Sequence, residues 1–203
     1  MPPKQKITKD DLLECAARIA EREGISAVTS RSVAKEAGCS IQPVFSQFPT
    51  MENLRQETFD YVCKKSVQEV LSFEKYPDYF ARTSKWVLDL ARHKPNLFKL
   101  IYLSGNFRGN KLLDIMSDYE NNREMLTKMT QVYQLDYEKC RDILMRSLLL
   151  LIGVCTMICD GRMEFSDEQV MAMMKQTVSD MVAGAKSVTG SSGVNGENKG
   201  SRN

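Results

Sequence analysis

Apolar side chains in this chain recur at spacings of three and four, and nowhere alternate with a period of two. In an α-helix every third or fourth side chain falls on one face, so this spacing is helical. No Asn-Gly or Asp-Gly pair lies between two β-branched runs, where a hairpin would need it, and Asn195-Gly196 lies in a polar tail. Beyond Pro95 there is no proline, which removes the commonest interruption of long helices. The expected fold is all-α. With 203 residues, 42% of them hydrophobic, the chain can bury a sizeable core in one large domain or two unequal ones.

Local signals set the expected helices. The first runs from about Lys9 to Glu23, capped by Thr8, with Asp10 and Asp11 complementing its dipole and Leu12, Ala16, Ile19 and Ala20 as its buried stripe. Gly24 stops it, with Ile25 placed for a Schellman-type contact. A short helix from about Ser30 to Ala37 is capped by Thr29, and a third from about Ile41 to Gln47 by Ser40. Pro49 and Thr50 then start a fourth, reaching about Ser72. Further helices are expected at about 78–92, 95–103, 110–133, 136–160 and 167–186, the last with a Ser166/Gln169 capping box. Residues 187–203 are mostly Gly, Ser and Asn, too poor in apolar groups to offset their ordering entropy, and are expected to be disordered.

Several function classes find no support in the inventory. The net charge is only +2, so any basic character must be local. The cysteines Cys15, Cys39, Cys63, Cys140, Cys155 and Cys159 form no CxxC pair, and the single histidine, His93, stands near a helix end. No metal site and no cofactor are expected, and the thiols read as reduced and packed. There is no Glu-x-x-His pair, no Gly-x-Ser-x-Gly and no phosphate-binding glycine loop, so an enzyme is not expected. Lys4, Lys6 and Lys9 lead straight into a polar helix rather than a signal sequence. The longest apolar run, Leu148 to Cys159, is shorter than a membrane span. The chain is therefore expected to be soluble and cytoplasmic.

Ala34, Gly38 and Val44 carry the functional reading. Two helices crossing near a right angle need a small side chain at their closest approach, which Ala34 supplies. The turn between them needs a residue tolerant of positive φ, which Gly38 supplies. Val33, Ala37 and Val44 then bury the inner faces. Spacings of four and then six residues are those of a DNA-binding helix-turn-helix. The stretch Thr29-Ser30-Arg31-Ser32-Val33-Ala34-Lys35-Glu36-Ala37-Gly38-Cys39-Ser40, followed by Val44-Phe45-Ser46-Gln47-Phe48 and Met51-Glu52-Asn53-Leu54, resembles the N-terminal domain of the tetracycline-repressor (TetR) family. Ala16-Ala17 and Glu23-Gly24 precede it in register, and the resemblance covers about residues 8–55.

The resemblance implies that the helix from Ile41 enters the major groove, with Ser40, Ile41, Gln42 and Pro43 in the turn nearest the bases. Gln42 is suited to adenine, and Ile41 or Pro43 to a thymine methyl. Thr29, Ser30 and Arg31 begin the preceding helix, within reach of base edges or phosphate. Lys4 and Lys6, with Lys9, form a basic arm near the backbone or minor groove. Ser46 and Gln47 keep the exposed face polar. Two positions depart from the family pattern: Phe45 stands where a tyrosine contacts phosphate, and Met51 where a lysine begins the fourth helix. Residues 1–48 hold seven Lys or Arg against six Asp or Glu, so phosphate affinity is expected to be modest.

The resemblance divides the chain into a helix-turn-helix domain at 1–48, a helical ligand-binding and dimerisation domain at 49–186 and a tail at 187–203. It implies a homodimer joined through the last two helices, for which Ser147, Leu148, Leu151, Cys155, Val170, Met174, Val178 and Met181 are the candidates. It also implies a pocket for a small, mostly apolar effector of unknown identity among Trp86, Phe98, Tyr102, Phe107, Met116, Tyr119, Met125 and Met129. The expected function is a transcriptional regulator, a repressor, binding palindromic double-stranded operator DNA. The competing reading is a helical scaffold or protein-interaction module whose DNA site has lapsed.

Overall fold

A computed structural model describes residues 7–73, 78–105 and 120–191. All regular structure among them is helical. In chain order these are α1 (Lys9–Glu23), a 3-10 turn (Ile25–Ala27), α2 (Ser30–Glu36), α3 (Gln42–Gln47), α4 (Met51–Leu71), α5 (Tyr79–His93), α6 (Pro95–Phe98) running into a π turn (Lys99–Leu103), α7 (Glu120–Tyr133), α8 (Tyr137–Cys159) and α9 (Asp167–Ser191).

Short-range chemistry sets most helix starts. Thr8 and Asp11 form a reciprocal capping box, as do Thr29 and Ser32; Thr50 and Asp136 cap α4 and α8. Ser166 and Gln169 satisfy each other's backbone N–H at the start of α9. Three local expectations need correction. Ile41, not Ser40, occupies the N-cap of α3, and no side chain caps that helix. Gly24 adopts φ 87° and ψ 163°, outside the left-handed helical region, so the chain leaves α1 extended and enters a 3-10 turn instead of closing a Schellman motif. Helix α9 continues to Ser191, five residues past the expected end at Lys186, so the first part of the supposed tail is helical. Residues 192–203 lie outside the described residues.

One core cluster runs without a break from Leu12 in α1 to Met174 in α9. Helix α1 packs on α2, α4 and α6; α5 packs on α8 and α9; α8 and α9 pack together. A second, smaller cluster of Leu126, Leu135, Cys140 and Ile143 forms where α7 meets α8, with Met129, Tyr133, Val178 and Met181 packed against it.

Most of the dimer candidates are buried within the chain itself. Leu151 is 3% exposed, and Ser147, Cys155, Val170 and Met174 are at most 1% exposed. They fill this chain's own core, and the buried Ser147 hydroxyl donates to the Ile143 carbonyl at 2.7 Å. Leu148 is half-buried against the main cluster, and Val178 and Met181 against the second. Beyond Tyr137 at its start, α8 leaves the large apolar side chains of Leu149 and Met157 outside, with exposed Gly153 between them. Helix α8 is long and apolar enough, by length and composition, to cross a membrane. Its most apolar 18 residues have mean hydropathy 2.0, yet only 28% of them are buried within this chain.

The pocket candidates also separate. Phe98 is fully buried, its ring centroid 5.3 Å from that of Tyr102, and Trp86 and Tyr102 pack against the main core. Met129 belongs instead to the smaller cluster, and Met125 is half-buried on the same helix. Phe107, Met116 and Tyr119 lie outside the described residues. The described candidates are thus divided between the two clusters. Burial pushes the Tyr102 hydroxyl and the Cys63 and Cys155 thiols up, each thiol to about 12.

Candidate nucleic-acid interface

The site is built on three short helices whose inner faces are closed. Val33, Val44 and Phe48 are at most 1% exposed, Ala34 is buried beside them, and α1 covers them with Leu12, Ala16, Ile19 and Ala20. Ala37 ends α2, and Gly38 turns the chain at φ +64°. A Cβ at Gly38 would meet nothing within 4 Å, so glycine serves the backbone conformation there and not a tight contact. The Cys39 N–H closes the turn on the Ala34 carbonyl at 3.0 Å. The small residue and the positive-φ glycine thus play the parts their spacing predicts.

With its inner side fixed, α3 presents its outer side to solvent. Ser40, Ile41, Gln42, Phe45, Ser46 and Gln47 are exposed, and Pro43 is half-buried in the first turn. Pro43 is tolerated there because a first-turn N–H has no helical partner. The Ser46 hydroxyl donates to the Pro43 carbonyl at 2.9 Å. Ile41 and Phe45 are 40% and 55% exposed, the only large apolar side chains among the described residues of the first three helices left so open. Nothing in Ser40–Gln47 carries a charge.

Charge around α3 is largely committed elsewhere. Arg18 and Arg22 both bind Glu36, at 3.3 and 3.2 Å, and hold its carboxylate below its ordinary pKa, Arg22 contributing more. Lys9 pairs with Glu57 and lies over the Phe48 ring, so it belongs to the folded domain and not to the basic arm. Arg55 donates to the carbonyls of Val28 and Ser26. Arg31 and Lys35 on α2 are exposed and have no carboxylate within ion-pair distance among the described residues. Lys4 and Lys6 lie outside them.

Two of the candidates at the start of α2 have their hydroxyls engaged within the chain. Ser30 is 6% exposed and gives its hydroxyl to Met51 Sδ at 3.4 Å, so its side chain is withdrawn from the outer surface. Thr29 spends its hydroxyl on capping α2. Met51 packs against the main core, which makes it an apolar anchor at the start of α4. Sequence reasoning missed Asn96 altogether. Its amide donates at 3.1 Å to the carbonyls of Glu21 and Arg22, the last turn of α1, and Lys94 binds Glu21 at 3.1 Å. Together they dock the start of α6 onto the end of α1, the helix that covers the motif. No local pattern reveals such a contact between residues more than 70 positions apart.

Residues 12–58 match the profile of a family described as bacterial regulatory proteins, tetR family. These residues form a TetR-family domain. It is the helix-turn-helix of DNA-binding transcription regulators, as the motif in α2 and α3 implied. A solved TetR-family structure shares the wider helical fold. A TetR-family transcription regulator from Marinobacter aquaeolei VT8 superimposes with a TM-score of 0.57 at 18% identity, covering 83% of this chain and 92% of that one. A TetR transcriptional regulator from Rhodococcus sp. RHA1 gives 0.47 at 17% identity, covering 85% and 93%. The multidrug binding protein EbrR complexed with imidazole gives 0.47 at 14% identity, covering 82% and 92%. No curated protein matches the chain.

Proposed function

We propose that this chain is a cytoplasmic transcriptional repressor. It binds a palindromic operator as a homodimer and is released by a small, mostly apolar ligand. The carrying observation is that a stretch matching the TetR family leaves Ser40, Ile41, Gln42, Phe45, Ser46 and Gln47 of α3 and its N-terminal approach uncharged and exposed. Residues 1–48 act as the reading head and residues 49–186 as the body that dimerises and senses. Gln42 pairs with adenine, and Arg31 and Lys35 reach the phosphates.

The incomplete cover of α8 supports dimerisation. A second copy laid along Leu149, Gly153 and Met157 would bury apolar surface that one chain leaves in water. Gly153 has open space where a Cβ would stand, which permits two helices to approach closely. The effector reading rests on Tyr102, which lies within the π turn Lys99–Leu103, because π turns recur at functional sites, and on half-buried Trp86.

Footprinting on the DNA flanking the chain's own gene tests the reading. The expected result is protection of a two-fold symmetric site that weakens as salt rises and with Gln42→Ala at matched protein concentration. Uniform weak protection of every fragment would instead favour the protein-interaction module.

A further inference from the structure

We infer that the reading head selects its operator through the C5 methyl groups of thymine, which meet an apolar ridge made by Ile41 and Phe45. This rests on the proposal that α3 lies in the major groove. The two side chains are four residues apart, and the Phe45 N–H donates to the Ile41 carbonyl at 3.2 Å, so helical geometry already holds across this turn. Side chains four apart on a helix stack on one face. Ile41 at 40% and Phe45 at 55% exposure therefore form one continuous apolar strip on the outside of α3.

The strip needs an apolar partner, and a duplex offers very few. Every major-groove base edge presents hydrogen-bond donors and acceptors except at one place, the thymine methyl. The surroundings of the strip point the same way. Residues Ser40–Gln47 bring no charge, and the Ser46 donor is spent on the Pro43 carbonyl. The nearest basic helix keeps only Arg31 and Lys35 unpaired among the described residues. A head with few unpaired cations among its described residues and an apolar strip gains its discrimination from contact with methyl groups more than from charge. A tyrosine in place of Phe45 would end in a hydroxyl; phenylalanine leaves the ring free to lie on carbon. Four residues of helix rise about 6 Å, and successive base pairs rise about 3.4 Å. The two methyls therefore lie within about two base steps of each other in each half-site.

The experiment uses the full chain and two forms of one random 30-base-pair duplex library, made with thymidine or with deoxyuridine, which lacks only the methyl. Sites enriched from the thymidine library are resynthesised with deoxyuridine, one position at a time. The expected result is a pair of sensitive positions per half-site, about two steps apart, each losing about fourfold in affinity when its methyl is removed. Ile41→Ala and Phe45→Ala should each bring the thymine-to-uracil ratio at one of these positions to about one. Both are surface changes, and unchanged melting temperatures confirm that the fold is kept. Enriched sites that bind equally well with uracil overturn the inference while leaving operator recognition standing. A ratio that survives both substitutions overturns it too. So does a Phe45→Ala protein whose ratio is unchanged but whose oligomeric state differs without DNA, since the ridge is then a protein contact. No enrichment from the thymidine library removes operator recognition itself, and this inference with it.

Discussion

Helices α1 and α8 are both built around apolar residues, but they end in different states. Helix α1 buries Leu12, Leu13, Cys15, Ala16, Ile19 and Ala20 and exposes no large apolar side chain. Helix α8 buries Cys140, Ile143, Leu151, Ile152, Val154 and Cys155 and still leaves Leu149 53% and Met157 40% exposed. A leucine moved from water to full cover is worth about 1.5–3 kcal/mol. The first helix has collected that energy within one chain, whereas the second has part of it outstanding. Helix α1 is thus closed within one chain, whereas α8 keeps an open apolar face.

The sharpest way to break this contrast is to exchange the two faces of α8. Leu151→Ala should cost about 2–5 kcal/mol, because it opens a cavity in this chain's core; thermal unfolding at low protein concentration checks it. Leu149→Arg should leave the dilute protein's unfolding within about 0.5 kcal/mol of native, as surface changes do. In sedimentation at micromolar concentration, however, it should turn a dimer into a monomer. Gly153→Leu should act like Leu149→Arg, since its Cβ meets nothing within the chain but would stand between two close helices. If Leu149→Arg unfolds the protein while Leu151→Ala does not, the faces are assigned the wrong way round.

Gln42→Ala tests the head by itself. The expected loss is about 1–3 kcal/mol on operator DNA, with little change on random duplex; competition binding measures both, and equal losses would mean that Gln42 reads no base. A smaller effect concerns the joint between the two regions. Asn96→Ala removes both hydrogen bonds to the end of α1 and should lower stability by about 0.5–1.5 kcal/mol. Hydrogen exchange should then show faster opening of the last turn of α1 than of α8; unchanged exchange there would count against the docking role.

The smallest effect is a pH dependence within the head. Arg22 and Arg18 hold Glu36 below its ordinary carboxylate value, so the folded state favours the ionised form. That contribution is fully present above the unfolded value of about 4.3 and is lost as pH falls through the lower folded value. Glu36→Gln should therefore flatten the acid limb of the stability profile below about pH 5 and leave the neutral region little changed. An acid limb identical to the native protein's would show that the cluster contributes nothing.

What the sequence could reveal followed the range of the forces involved. Caps at Thr8, Thr29 and Ser166 act over three residues, so their spacing announces them. The paired Ala34 and Gly38 were legible for the same reason. Helix α8 was not, because a segment apolar on nearly all sides carries no phase. Its buried and exposed faces are decided by α5 and α9, and Leu151 and Leu149 look alike from sequence. Ser30 shows the same limit at small scale, since its inward turn depends on Met51, 21 residues away. At α3 the cap assigned to Ser40 failed because the next residue, Ile41, already takes helical angles and becomes the boundary itself.

The most direct test of the account is the binding stoichiometry and affinity of the full chain on an operator fragment and on a random fragment of equal length, at one physiological salt concentration. The account predicts two chains per operator duplex and an affinity at least about 10³-fold above that for the random fragment. One chain per duplex, or equal affinities for the two fragments, would contradict it.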